Sequence, residues 1–163
     1  MSEQKNSLPE KAEPLLMPPH FNGKKELFRD ESFLDTNNYH ATLPLRPHHL
    51  LCTEFFCGYG YSDDFTANMS AVIAELNSGD PTVRLSADTD IVCRKCPHNK
   101  NGRCDTYEKV LRYDLAALDI LGLRESHTAH WSELKKSARE KIISAGKLHE
   151  VCGDCQWFNI CGK

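Results

Sequence analysis

The chain has 163 residues, 40% of them apolar and 26% charged, with a net charge of −3 when its eight histidines are counted neutral. That length holds one modest core, and the near-balance of charge argues against a general polyanion binder, which is usually clearly basic. No run approaches the roughly 18 apolar residues of a membrane span. The apolar run Leu15-Leu16-Met17, set among Pro9, Pro14 and Pro18, is too short for a signal-peptide core, so the expected location is cytoplasmic.

Residues 1–43 read as a mostly disordered extension, rich in proline and charge, with a helical turn or two at most over 26–34. The folded part, 44–163, is expected to open with a helix over 47–57. Pro47 suits its first turn, where no amide hydrogen is needed. Gly58 and Gly60 end it in a tight Gly-Tyr-Gly-Tyr turn. Ser62 is a good N-cap, and Asp63 and Asp64 follow where carboxylates favour the positive end of the helix dipole. Phe65, Met69, Val72, Ile73 and Leu76 keep helical spacing to Asn77, and Gly79-Asp80-Pro81 breaks it. Thr82–Leu85 reads as a short strand, and 90–92 as another. Beyond a cysteine loop at 93–104, Tyr107, Val110, Leu111, Leu115, Leu118 and Leu121 mark the longest helix, stopped by Gly122. Trp131, Leu134, Ala138, Ile142 and Ile143 mark another, capped near Ser132. A second cysteine loop, 152–161, closes the chain. The predicted fold class is mainly α, or a small α+β, with two irregular cysteine-rich loops.

Eight cysteines dominate the composition. Three features oppose a disulfide framework: no export signal, a chain longer than disulfide-dependent domains usually are, and short ligand-like spacings. The first loop reads Cys93-Arg-Lys-Cys96-Pro97 with Cys104 beyond, and the second Cys152-Gly-Asp-Cys155 with Cys161 beyond. A Cys-x-x-Cys turn brings both sulfurs to one metal and points backbone amides at them. Zinc ribbons pair two such units at about 15–20 residues' separation. Here Cys96 and Cys152 lie much further apart, and each unit carries a third cysteine. Triplets suit iron–sulfur clusters, and a proline often follows a ligand there, as Pro97 follows Cys96. The expected cofactor is therefore an iron–sulfur cluster, 4Fe–4S in type and one or two in number, with zinc (Zn) as the alternative.

In Arg46-Pro47-His48-His49-Leu50-Leu51-Cys52, either histidine can share a helical face with Cys52. Cys52 is thus a candidate distant ligand, against the plain reading of a small core residue. Cys57, five residues on, reads as a non-ligand. Arg46 and the helix start make an anion-friendly spot. The seven remaining cysteines divide as a four-cysteine cluster plus a three-cysteine cluster with an open iron. They equally allow a single cluster, with the other cysteines structural or bound to zinc. Arg94, Lys95, Lys100 and Arg103 surround the first loop, where cations stabilise an anionic cluster. Aromatic residues for base stacking are absent from that loop, which argues against a nucleic-acid partner.

The segment Arg46–Cys52, Gly58-Tyr-Gly-Tyr-Ser62, Phe65, Asn68-Met69, the Cys93/Cys96/Cys104 loop, Leu121-Gly-Leu123, Trp131 and the closing cysteine loop together resemble a family of small bacterial and archaeal proteins, domain of unknown function 1284. The resemblance spans about residues 44–163. It implies suspected iron–sulfur binding, with Cys52, Cys93, Cys96, Cys104, Cys152, Cys155 and Cys161 at the family's cysteine positions. Cys57 falls where the family more often has a basic residue.

Two classes of function follow. One is an iron–sulfur protein acting in electron transfer, with a redox partner, or in catalysis on a small-molecule substrate at an open iron. In the catalytic case Arg46 would be an anion anchor and His48 and His49 acid/base groups. The other is a zinc-stabilised module that recruits a protein or nucleic-acid partner. No phosphate loop, nucleophile elbow or paired-carboxylate motif is present to name a reaction.

Overall fold

The structure, a computed structural model, describes residues 42–162. Of the extension expected at 1–43, residues 1–41, with the helical turn at 26–34, lie outside the described residues, whereas Leu43 already belongs to the first strand. A small mixed sheet anchors the fold. Strands β1 (Leu43–Leu45) and β2 (Thr82–Leu85) run parallel, with Leu43 opposite Val83 and Leu45 opposite Leu85. The third strand, β5 (Thr128–His130), lies antiparallel on the other edge of β2, with Val83 opposite Ala129. Parallel pairing needs a crossover. Helices α1 (His49–Phe55) and α2 (Asp63–Gly79) supply it.

Tight turns lead from β1 into α1: His49 N–H donates to the Arg46 carbonyl at 2.9 Å and Leu50 N–H to that of Pro47 at 3.3 Å. Regular helix therefore starts at His49 rather than Pro47. It stops before Cys57, because Phe56 is already extended. For α2, Ser62 Oγ accepts from Phe65 N–H at 3.2 Å, as an N-cap should. Its apolar side buries Met69, Val72 and Leu76. Asp80, left-handed at φ 43°, turns the chain into β2.

The expected strand over 90–92 is absent. Asp90 Oδ1 accepts from the amides of Val92 and Cys93 at 2.9 and 3.0 Å, which bends the chain into a 3-10 turn, Val92–Lys95. A two-strand hairpin, β3 (Asn99–Lys100) and β4 (Arg103–Cys104), completes the first cysteine loop. Helix α3 (Tyr107–Leu121) ends as expected at Gly122, left-handed at φ 70°. Its buried face differs from the expected one. Leu115 is 57% exposed, whereas Tyr113, Asp114, Ala117, Leu118 and Leu121 face the core.

Helix α4 (Trp131–Ala138) passes into a π-helical turn, Arg139–Ile143. Its cap is not local to Ser132. The distant Asp80 accepts from Ser132 N–H at 2.6 Å and from its hydroxyl at 3.0 Å, tying the start of α4 to the end of α2. Short helices α5 (Leu148–Cys152) and α6 (Phe158–Cys161) form the second cysteine loop. The core gathers Leu45, Leu50, Leu76, Val83, Leu85, Leu121 and Ile142 between sheet and helices. Among the described residues no helix is long and apolar enough to cross a membrane.

Candidate metal centre

Cys52 lies on α1, directly after the buried Leu50 and Leu51 that hold the helix to the core. Cys152 ends α5, Cys155 occupies the turn after it, and Cys161 ends α6. These elements bring all four cysteines to one cavity of about 140 Å³, walled by Phe55, Phe65, Met69 and Phe158. Burial first, then the charges of Cys155, Cys152 and Cys161, push the Cys52 thiol well above its ordinary pKa. Burial pushes Cys152 up to about 12, with Cys155 and Cys161 adding to the effect. Burial and neighbouring sulfurs thus oppose the ionisation of Cys52, Cys152 and Cys161 until a cation neutralises them.

The second loop is held by contacts outside its own helices. Asp154 accepts from the Tyr113 hydroxyl at 2.7 Å and from Arg112 at 3.1 Å, and its carbonyl accepts from Lys109 at 2.9 Å. All three partners lie on α3. Gly153 is required by space: a Cβ there would meet the His149 carbonyl oxygen at 2.7 Å. That glycine lets α5 close into the Cys152–Cys155 turn.

The first triplet sits apart from this cavity wall. Cys93 is buried and Cys96 and Cys104 half-buried. Burial raises the Cys96 thiol and Cys104 adds to this, while the backbone amides of His98 and Asn99 pull it back down. Amides directed at a sulfur are what a metal-bound thiolate uses. Arg94, Lys95, Lys100 and Arg103 are all on the exposed side of this loop. Cys57, exposed, borders the cavity mouth near Cys161.

Two buried carboxylates organise the segment between the cysteine groups. Asp114 Oδ2 accepts from Arg46 Nε at 2.9 Å and Nη2 at 2.5 Å, with Arg46 only 1% exposed. Its Oδ1 takes the His48 amide at 3.2 Å and His48 Nδ1 at 2.6 Å. Asp90 does the same one residue on: Oδ2 accepts from Arg46 N–H at 2.7 Å and pairs with His49 Nδ1 at 2.6 Å. Burial pushes both carboxyls up, but their hydrogen-bonded partners outweigh it. Asp90 comes down to about 2, chiefly through His49, and Asp114 falls through His48 and Arg46. Ionised carboxylates only accept, so each imidazole donates from Nδ1. Burial and then the His49 charge lower His48 to about 4, which keeps it neutral near pH 7. Both rings, 4.3 Å apart, line the four-cysteine cavity. With Nδ1 engaged, Nε2 is the nitrogen each has left for it.

Among the described residues, one group of three His, Cys or Asp ligand atoms lies mutually within 4.8 Å: His49, Asp90 and Cys93. Asp90 is the organiser of this group. Its two oxygens already accept four hydrogen bonds, which uses all its lone-pair positions. The sequence patterns give no place to Asp90 or Asp114. Asp114 carries one legible signal: a carboxylate on the same helical face as Val110, Ala117 and Leu121 must be buried or must break the face.

A family model described as "Protein of unknown function (DUF1284)" matches residues 60–161. The chain belongs to this family. No curated protein and no solved structure matches it. The DUF1284 match contains Cys93, Cys96, Cys104, Cys152, Cys155 and Cys161 and begins after Cys52 and Cys57. This DUF1284 chain is thus cysteine-rich, with groups of side chains compatible with metal binding.

Proposed function

We propose that the protein binds iron–sulfur. Cys52, Cys152, Cys155 and Cys161 hold one 4Fe–4S cluster in the aromatic-walled cavity, and Cys93, Cys96 and Cys104 hold a second centre. The observation that carries this reading is that Cys52, from a distant helix, joins the second triplet in one cavity. Sulfur spacing supports it. A tetrahedral zinc ion with bonds of about 2.3 Å holds its sulfurs about 3.8 Å apart. No three of the cavity sulfurs lie mutually within 4.8 Å. A cluster spreads its ligands wider because each sulfur binds a different iron.

With four cysteines the cavity centre is closed and suits electron transfer. The three-cysteine centre leaves one iron open to a small-molecule substrate. We assign Arg46 a positioning role, since its Nε and Nη2 are engaged by Asp114. Of the acid/base candidates, His49 has a ring nitrogen within 4.8 Å of the Cys93 sulfur and so stands beside the three-cysteine centre, whereas His48 lines the cavity of the closed one. The expected partner is a redox protein or a small substrate rather than nucleic acid, and the expected location is the cytoplasm. A cluster, when bound, supplies one-electron chemistry and, at an open iron, a Lewis acid.

Protein purified without oxygen should carry iron and acid-labile sulfide. Cys52→Ser should lower both, and Cys57→Ser should leave them unchanged. Stoichiometric zinc without sulfide, from cells with ample iron, would overturn the reading. The zinc-stabilised binding module is the second reading: His49, Asp90 and Cys93 set nitrogen, oxygen and sulfur donors within 4.8 Å of one another, and zinc there would have to displace hydrogen bonds that Asp90 now accepts.

A further inference from the structure

Tyr61 lies in the turn between α1 and α2, outside both cysteine loops, yet it touches each of them. Its ring meets that of His98 edge-on, with centroids 4.7 Å apart, and that of Trp157 edge-on at 5.5 Å. His98 follows Cys96 by two residues, and Trp157 follows Cys155 by two. The His98 and Trp157 centroids are therefore no more than about 10 Å apart, the two separations laid end to end. Phe65 braces the same ring from α2 at 5.1 Å. Gly60, beside it, has no space for a side chain: a Cβ would fall 2.6 Å from the Phe65 ring and 2.7 Å from the Thr66 hydroxyl. The turn is thus packed tightly enough to hold Tyr61 between the loops.

From this we infer that the two cysteine groups hold redox centres close enough to exchange an electron directly, with Tyr61 as the packed contact between them; the inference rests on the iron–sulfur reading above. One electron leaves the reduced centre at one loop and enters the oxidised centre at the other. No bond forms or breaks and no proton moves. The reducing equivalent enters from an external one-electron donor protein of low potential. Tunnelling falls off exponentially with distance and falls less steeply through packed atoms than through water. The edge-on contacts of Tyr61, which keeps 39% of its surface exposed, therefore offer a path through packed rings in place of an open gap between the loops. The arrangement gives the protein a defined task, carrying electrons between its closed centre and the three-cysteine centre with the open iron.

Two paramagnetic centres this close also couple magnetically, and that coupling is the test. The full chain, purified without oxygen and reduced with dithionite, is measured by electron paramagnetic resonance at two microwave frequencies. The expected spectrum carries a splitting that keeps the same width in field units at both frequencies. Cys96→Ser and Cys155→Ser should each remove that splitting and leave the simple signal of one centre. If both variants fail to fold, the two-frequency comparison on the unaltered protein still decides. A spectrum whose every feature scales with frequency, or that equals the sum of two independent signals, overturns the inference. Iron and sulfide sufficient for one cluster only overturns it too, while leaving the iron–sulfur reading standing. Absence of sulfide removes that reading itself.

Discussion

Replacing Asp114 by Ala tests the buried frame that holds Arg46 and His48. The carboxylate is fully buried and the guanidinium is 1% exposed. Removing it strands four donors at once: Arg46 Nε and Nη2, the His48 amide and His48 Nδ1. Breaking a buried pair from one side costs about 3–5 kcal/mol, because the remaining charge stays desolvated. A domain's whole stability is about 5–15 kcal/mol. At about 4 °C per kcal/mol for a chain of this size, the melting temperature should fall by about 12–20 °C. Urea unfolding followed by circular dichroism should show a lower midpoint with an unchanged slope. Arg46→Met combined with Asp114→Leu should recover only the part due to the stranded guanidinium, since the His48 amide and Nδ1 still lack their acceptor. An Asp114→Ala protein within about 1 kcal/mol of the original, a loss smaller than a stranded buried charge allows, would refute this account of the frame.

Acid pH should remove the same stabilisation. Asp114 has a folded pKa below its unfolded value. Its contribution is therefore present above about pH 4, the unfolded value, and lost as pH falls through the folded one. Asp114→Asn should flatten the acid limb of the stability profile. Gly153→Ala should cost about 1–3 kcal/mol, because the obstacle is the backbone carbonyl of His149, which has no rotamer to yield; a crystal structure with α5 unmoved would contradict this. Tyr113→Phe should cost about 1–2 kcal/mol by removing a hydrogen bond to the Asp154 carboxylate. Thermal unfolding measures it, and an unchanged midpoint would show that Arg112 and Lys109 suffice.

Local chemistry made the long helices legible. Ser62, the paired aspartates and the apolar spacing from Phe65 to Leu76 all point to α2, and Gly122 ends α3 as glycine should. What escaped is decided across the chain. Strands β1 and β5 have three residues each, too few to show alternation, and exist because β2 pairs with both. Helix α3 offers two neighbouring apolar stripes in sequence. Asp114 breaks the tie, since Arg46 in the core needs its carboxylate, and Leu115 goes to solvent. Asp90 reads as the start of a strand until its side chain is seen to take the amides of the next turn. The cysteine triplets are visible as spacings. That Cys52 shares a cavity with the second triplet is a tertiary fact with no local signal.

The last prediction concerns the second cysteine loop, whose order needs more than its own helices supply. Helix α5 has five residues and α6 four. Isolated helices shorter than about 12 residues are marginal even with favourable sequences. No residue of α6 is fully buried, so packing contributes little there. On the protein side, Asp154 and the buried Leu148 and Val151 anchor α5, while 156–161 rests on the edge contact of Trp157 with Tyr61, the half-buried Phe158 and the thiol of Cys161. Metal binding is then folding energy for this segment. Stripping the metal with a chelator without oxygen should raise amide hydrogen exchange at 156–161 most, 148–155 less, and the β1–β2–β5 sheet and α2 least. Equal protection at 156–161 before and after removal would mean that the loop is ordered by packing alone, and that its cysteines converge without a metal to require it.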